Sequence, residues 1–271
     1  MHSMKTLAVA VAAGLAIMAP AGAGTIRVTI ENTQPVDGVH LTPLWVGFHD
    51  GTSFDAFDVG AAASAGVEAV AELGTVGQIG AELADAQPSA VGGAIGAPGG
   101  FGPAPIIEPG ETASADFTLD RGDNRFFQFL SMILPSNDNF IGNPDPIALF
   151  DEDGGFTNPG PIAIASAIAF DAGTEANDLD DGPAFVVGEV DVEGTETPGG
   201  TIQPSTGIGA IGAGVGLPNG VVIDPDAFAA FFDGSAPIGT ITVSQVPLPP
   251  SVAPMLLLAA GAGVAAWRRR G

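Results

Sequence analysis

The sequence predicts an all-β fold, an antiparallel β-sandwich with one short helix set into a loop. Three observations predict it. Two segments alternate cleanly between apolar and polar residues, one longer run is apolar on both faces, and the stretches between carry Asn, Asp, Gly and Pro.

The first alternating segment sets Ile26, Val28 and Ile30 against Arg27, Thr29 and Glu31. The second sets Ala113, Ala115, Phe117 and Leu119 against Thr112, Ser114, Asp116 and Thr118. Successive side chains of a strand point to opposite faces, so each segment predicts a half-buried strand. From Phe126 to Leu134 both faces are apolar apart from Gln128 and Ser131, which predicts a central strand covered on both sides. Further strands are expected at Ala184 to Val192 and around Ile241 and Val243. Ser64 is placed to cap a helix from Ala65 to Leu73, with Val67, Val70 and Ala71 on one face and Gly74 ending it. That helix is expected as a loop insertion. The glycine-rich stretches from Val91 to Gly102 and from Thr206 to Gly220 have no fixed repeat and are expected to be long loops.

Both ends carry address signals. Met1 to Lys5, then an uncharged apolar run from Thr6 to Ala19 and small residues at Ala21 and Ala23, predict a secretory signal peptide over residues 1–23. The body is expected over 24–245. The tail, 246–271, begins Val246-Pro247-Leu248-Pro249-Pro250, continues with an apolar stretch from Val252 to Trp267 and ends on Arg268, Arg269 and Arg270. The stretch is near the lower limit for spanning a ~30 Å hydrocarbon core, and the arginines are expected to stay cytoplasmic with the body outside. This three-part tail resembles the PEP-CTERM sorting signals of Gram-negative bacteria, in their Val-Pro-Leu-Pro-Ala form, with Pro250 at the usual alanine. The resemblance implies an exosortase-type partner that cuts near the proline motif and releases or attaches the protein at the surface.

All 31 acidic residues lie between Gly24 and Pro250, where only Arg27, Arg121 and Arg125 are basic; 3 positive against 31 negative charges leave the body at −28. Such a field repels nucleic acid and anionic lipid and attracts cations. A nucleic-acid partner is therefore not expected. The chain has no cysteine, which excludes disulfides and thiol catalysis.

The acids gather in three places: Asp138 with Asp145, then Asp151-Glu152-Asp153, then Asp171, Glu175, Asp178, Asp180 and Asp181. Calcium takes about six to eight oxygen ligands, commonly from carboxylates on loops. No EF-hand loop is spelled: counting from Asp178, position five is Gly182, although Glu189 falls at position twelve.

The run from Phe129 to Gly142, with Ser131, Met132, Pro135, Ser136, Asp138, Phe140 and Gly142 in register, resembles the S-M-x-x-P-S-x-D-x-F-x-G signature of spondin amino-terminal domains. Phe170-Asp171-Ala172-Gly173-Thr174-Glu175 is similar to that family's D-A-G-T-[DE] motif. The segments Arg27 to Asn32 and Leu41 to Gly51 also look like bacterial members, so the resemblance runs from Thr25 to Val246. It implies a C2-like sandwich with calcium, Ca2+, held by loops at one end. It also implies Asp138, Asp171 and Glu175 as metal ligands, with Asp145 as a further candidate. Animal members act in matrix adhesion.

Other constellations lead to plainer expectations. A hydrolase triad drawn from His49, Asp50 and a serine lacks a G-x-S-x-G elbow, and His40 and His49 sit among apolar residues where a packed imidazole is expected. Arg121-Gly122-Asp123 is expected to form a hairpin turn. Trp45 and the phenylalanines are expected in the core. The sequence thus predicts an exported, non-enzymatic calcium-binding surface or matrix protein, associated with adhesion or exopolysaccharide. An extracellular hydrolase using the same carboxylates and a passive envelope element are the alternatives.

Overall fold

The computed structural model describes residues 22–97, 105–177, 183–188, 194–207, 211 and 214–247. The apolar run of the expected signal peptide, the tail beyond Pro247 and the acids Asp178, Asp180 and Asp181 lie outside them. Among the described residues no helix is long and apolar enough to cross a membrane.

The strands are β1 (Ala23–Asn32), β2 (His40–Leu41), β3 (Leu44–His49), β4 (Val91–Ile95), β5 (Thr112–Asp120), β6 (Phe126–Leu134), β7 (Asn139–Gly142), β8 (Ile147–Ala148), β9 (Ile162–Ile164), β10 (Ala169–Asp171), β11 (Gln203–Pro204) and β12 (Gly239–Val246). The helices are α1 (Ala65–Leu73), α2 (Gly77–Ala86) and α3 (Pro225–Phe232). The smaller sheet runs β5-β1-β12-β9. The larger runs β11-β10-β7-β6-β3-β4, with β2 and β8 also paired to β6. Strand pairing is antiparallel throughout, as in β1 against β12 and β6 against β3. This is the expected all-β sandwich.

The main core lies between the sheets. Ile26, Val28 and Ile30 of β1 and Ile241 and Val243 of β12 meet Phe127 and Phe129 of β6. A second core lies on the outer face of the larger sheet, where Trp45, Leu130, Phe140 and Phe170 meet Val67, Val70, Ile79 and Leu83 of the two helices. Strand β6 is therefore buried on both faces, as its composition requires.

Helix α1 occupies the residues its caps specify. Ser64 Oγ accepts the Val67 N–H at 3.2 Å, and Gly74 closes the helix in the left-handed region. It is more than a loop insertion, because with α2 it covers the second core. Helices this short are marginal alone, and Glu82 of α2 ties the pair by accepting from Ser64 Oγ and from the Gly66 N–H, both at 2.7 Å.

Four expectations change. Val91 to Ile95, expected in a loop, is strand β4. Its glycines lie close under neighbouring side chains: a Cβ on Gly92 would stand 3.0 Å from Leu83 Cδ2, and one on Gly93 would stand 2.9 Å from Phe117 Cε1. The described part of the expected strand at Ala184 is a turn, with Phe185 at φ 67 and the Val187 N–H donated to the Gly216 carbonyl at 2.8 Å. Residues 189–192 of that expectation lie outside the described residues. Helices α2 and α3 were not expected, although Asp224 caps α3 with Pro225 at its first position and Phe228 and Phe231 reach the core. The Arg121-Gly122-Asp123 turn is a corner between the two sheets rather than a hairpin, since β5 and β6 belong to different sheets. Asp120 Oδ1 holds that corner by accepting from Gly122 and Asp123 N–H, while Arg121 lies over Phe150 and donates to the Gly154 carbonyl.

Candidate functional site

The S-M-x-x-P-S-x-D-x-F-x-G segment is the end of β6, a tight turn and β7, and each of its residues has local work. Ser131 Oγ donates to the Thr42 carbonyl at 2.7 Å, fixing β6 to the chain between β2 and β3. The turn contains a cis Leu134–Pro135 peptide, and Ser136 Oγ donates to the Ile133 carbonyl at 2.6 Å and accepts the Asn139 N–H. Phe140 packs edge-on against Phe57. At Gly142 a Cβ would stand 2.8 Å from Leu130 Cδ2 and 2.9 Å from Phe57 Cε1. Together these place Asp138 just ahead of β7.

Strand β10 brings the second motif alongside. Asp171 pairs with Asn139 in the register of β10 and β7, so the two acidic segments, 33 positions apart in sequence, meet at one end of the larger sheet. Asp171 Oδ1 accepts the Gly173 N–H at 2.7 Å. Gly173 has φ 68, and a Cβ there would lie 2.6 Å from the Thr201 carbonyl oxygen. The sharp bend this allows turns Thr174 and Glu175 back over Asp138. Asp138 Oδ2 then accepts the N–H of Thr174 at 2.9 Å, that of Glu175 at 3.0 Å and the Thr174 hydroxyl.

Asp138 is fully buried, and its other oxygen, Oδ1, has no hydrogen-bond partner. Burial pushes its carboxyl up to about 6; the Glu175 and Thr174 N–H groups oppose the rise and the nearby Asp171 charge adds to it. Glu175 is also buried, and its Oε1 accepts the Gly194 N–H at 2.6 Å. Asp145 stands apart: it is exposed, beyond the far end of β7, where its carbonyl accepts from Asn143 Nδ2.

Three amide and hydroxyl residues join the site without having been expected there. Asn177 Nδ2 donates to Asp171 Oδ2, and Asn177 Oδ1 accepts from Asn139 Nδ2 at 2.9 Å. Asn139 Oδ1 in turn accepts from Ser205 Oγ. Beside them a cleft of about 690 Å³ opens between α1 and segments 173–175 and 194–200, with Glu68, Glu72, Glu175 and Glu196 on its walls.

The donor chemistry suits a hard cation: carboxylate and amide oxygens on loops, with one buried carboxylate oxygen lacking a donor. Among the described residues no three Asp, Glu or His side chains already converge at metal-binding distance. Asp138 and Asp171 would hold such an ion, with amide, hydroxyl or carbonyl oxygens and water completing its shell.

The histidines are packed as expected. Burial lowers the pKa of both. His40 Nδ1 donates to the Gly38 carbonyl at 2.9 Å, and His49 Nδ1 accepts the Gly51 N–H at 3.1 Å. Ser53 Oγ donates directly to Asp50 at 2.7 Å, so no histidine stands between them.

The chain is thus an antiparallel β-sandwich that gathers buried and exposed carboxylates on loops at one end of its larger sheet. The family model Spondin_N matches residues 31–193, more than half of the chain, and the chain belongs to the spondin amino-terminal family, a family of extracellular domains. No curated protein matches it. The match takes in both acidic motifs and stops short of β11 and β12, although β12 supplies the partner of β1 over its whole length.

Proposed function

We propose that this protein is exported to the cell surface or extracellular matrix, binds calcium between the Asp138 and Asp171 loops with Glu175 bracing them, and works in adhesion or exopolysaccharide association. One observation carries the metal reading: a fully buried Asp138 carboxylate with one oxygen lacking a donor, next to Asp171. A buried carboxylate is costly unless it is paired or coordinates a metal. The arginines of the described chain are engaged elsewhere: Arg27 with Asp116, Arg121 over Phe150 and Arg125 over Phe126. Family membership supports the extracellular setting. The tail motif supports sorting by an exosortase-type enzyme, with transient or lasting attachment to the inner membrane.

Calorimetric titration of calcium into residues 22–247, beside the Asp138→Asn/Asp171→Asn variant in moderate salt, tests the site. One saturable event lost in the variant supports it, with a rise of about 2.7 kcal/mol in stability at a hundredfold excess over Kd. No saturable event removes calcium from the proposal. Solid-phase binding to purified exopolysaccharide with and without calcium tests the partner. Neutral replacements of Arg268, Arg269 and Arg270 test the tail, since normal surface delivery of that variant contradicts the sorting role.

A further inference from the structure

A second cleft, of about 300 Å³, lies between α2 and the edge strand β4 and shares no residue with the acidic site. Gly77, Gly80 and Ala84 of α2 face Gly92 and Ala94 of β4 across it, and Trp45 reaches it from β3. In a chain of 31 acidic residues, not one charged side chain lines this space.

Trp45 is 1% exposed, and its indole Nε1 has no hydrogen-bond partner. Buried indole N–H groups ordinarily find an acceptor, because an unmade bond leaves the desolvation cost uncompensated. Gly47 leaves room for the indole: a Cβ there would stand 2.6 Å from the ring. Nε1 is directed at the cleft, since a Cβ on Gly80 would lie 3.9 Å from it and one on Gly92 4.0 Å. Apart from α2 itself, nothing else lies within 4 Å of that Gly80 Cβ position. Glycine inside a helix is a poor choice for stability, and here it places no side chain of α2 between the buried indole and the cleft.

We propose that this cleft binds an acetamido group, its carbonyl oxygen accepting from Trp45 Nε1 and its methyl packing on Leu83 and Ala84. Uncharged walls select a neutral group. A single buried side-chain donor selects a single acceptor, and small apolar walls fit a methyl beside it. A space of about 300 Å³ is at the lower end for small-molecule sites, enough for one N-acetylated sugar unit. A peptide main-chain amide offers the same carbonyl but carries a substituted Cα where the acetamido group has its methyl. The ligand class is therefore an N-acetylhexosamine, free or at the end of a polysaccharide.

The chain has two tryptophans, so Trp267→Phe in the full-length protein leaves Trp45 as the sole indole. N-acetylglucosamine is expected to shift its fluorescence saturably, with glucose at the same concentrations giving no shift. Gly80→Leu, which fills the cleft from its open side, is expected to weaken the response at least tenfold without lowering Tm; Gly80→Ala is expected to weaken it less. Four results overturn the proposal: no saturable shift, an equal shift with glucose, a response unchanged in Gly80→Leu of unaltered Tm, or a response to trialanine amide in place of the sugar. The first would leave water as the acceptor, and the last would make the cleft a peptide site.

Discussion

Thr174 donates its backbone N–H to Asp138 Oδ2 at 2.9 Å, joining two loops that lie 36 positions apart in sequence. The bond satisfies one carboxylate oxygen and leaves its twin, Oδ1, without a donor. Most consequences of the site follow from this half-satisfied acid.

The first is a pH dependence. The folded carboxyl of Asp138 holds its proton up to about 6, against an ordinary value of 3.8. Between those values the folded state carries the extra proton, so in calcium-free solution stability falls as pH rises through that window and is flat above it. The contribution is on the order of 3 kcal/mol, at about 1.4 kcal/mol per pH unit. Asp138→Asn is expected to remove this slope and to be the more stable protein at pH 7 in chelator. Urea unfolding of both proteins from pH 4 to pH 7 checks it; parallel curves would contradict the assignment.

Gly173→Ala is expected to lower stability by about 2–4 kcal/mol, combining a left-handed residue with a Cβ and overpacking against the Thr201 backbone. The Thr174 N–H should then leave Asp138. Denaturant unfolding gives the first quantity, and calcium titration of the same variant should show the site weakened even though no carboxylate has been changed.

Phe140→Ala is expected to cost about 3–5 kcal/mol, because Phe140 is fully buried among Phe57 and Phe170 with ring centroids 5.1 and 5.8 Å away. Val36→Ala, at a position 75% exposed, should change stability by less than about 0.5 kcal/mol. Melting curves of the pair make the comparison, and equal losses would place the second core elsewhere.

Ser64→Ala is expected to cost about 1 kcal/mol. It removes both the Val67 cap and the bond to Glu82 of α2. Hydrogen exchange should show the loss first in the amides of α1, with β1 and β12 unaffected.

Strands β1, β5, β6 and β12 were legible in the sequence because each buries at least one face and so carries an alternating or fully apolar pattern. Strand β4 was not, because glycines leave it without an alternating pattern, and the side chains that pack close over them, Leu83 and Phe117, come from other elements. Helix α2 gave little signal, with glycines at positions 77 and 80 and no side-chain cap. The Asp-Pro start of α3 was a usable signal that the sequence reading passed over. Around Phe185 the apolar run imitates a strand, but Phe185 stands at φ 67, outside strand geometry. Asp138, Asp171 and Glu175 were legible only through their motifs, since their meeting depends on β7 pairing with β10. Asn139, Asn177 and Ser205 carried no signal, because amides and hydroxyls are common in any loop.

The first strand and the last are neighbours from Thr25, opposite Val246, to Asn32, opposite Gly239, and Ala23 lies against Asp120 at the corner that feeds the start of β6. Asp138 follows the other end of β6, nine residues on, a distance of about 30 Å at 3.3 Å per residue. Whatever the chain is joined to before Gly22 or after Pro247 therefore departs from one pole of the sandwich. A tether there would hold the domain upright, with the carboxylate loops at the opposite pole facing away from the surface that carries it.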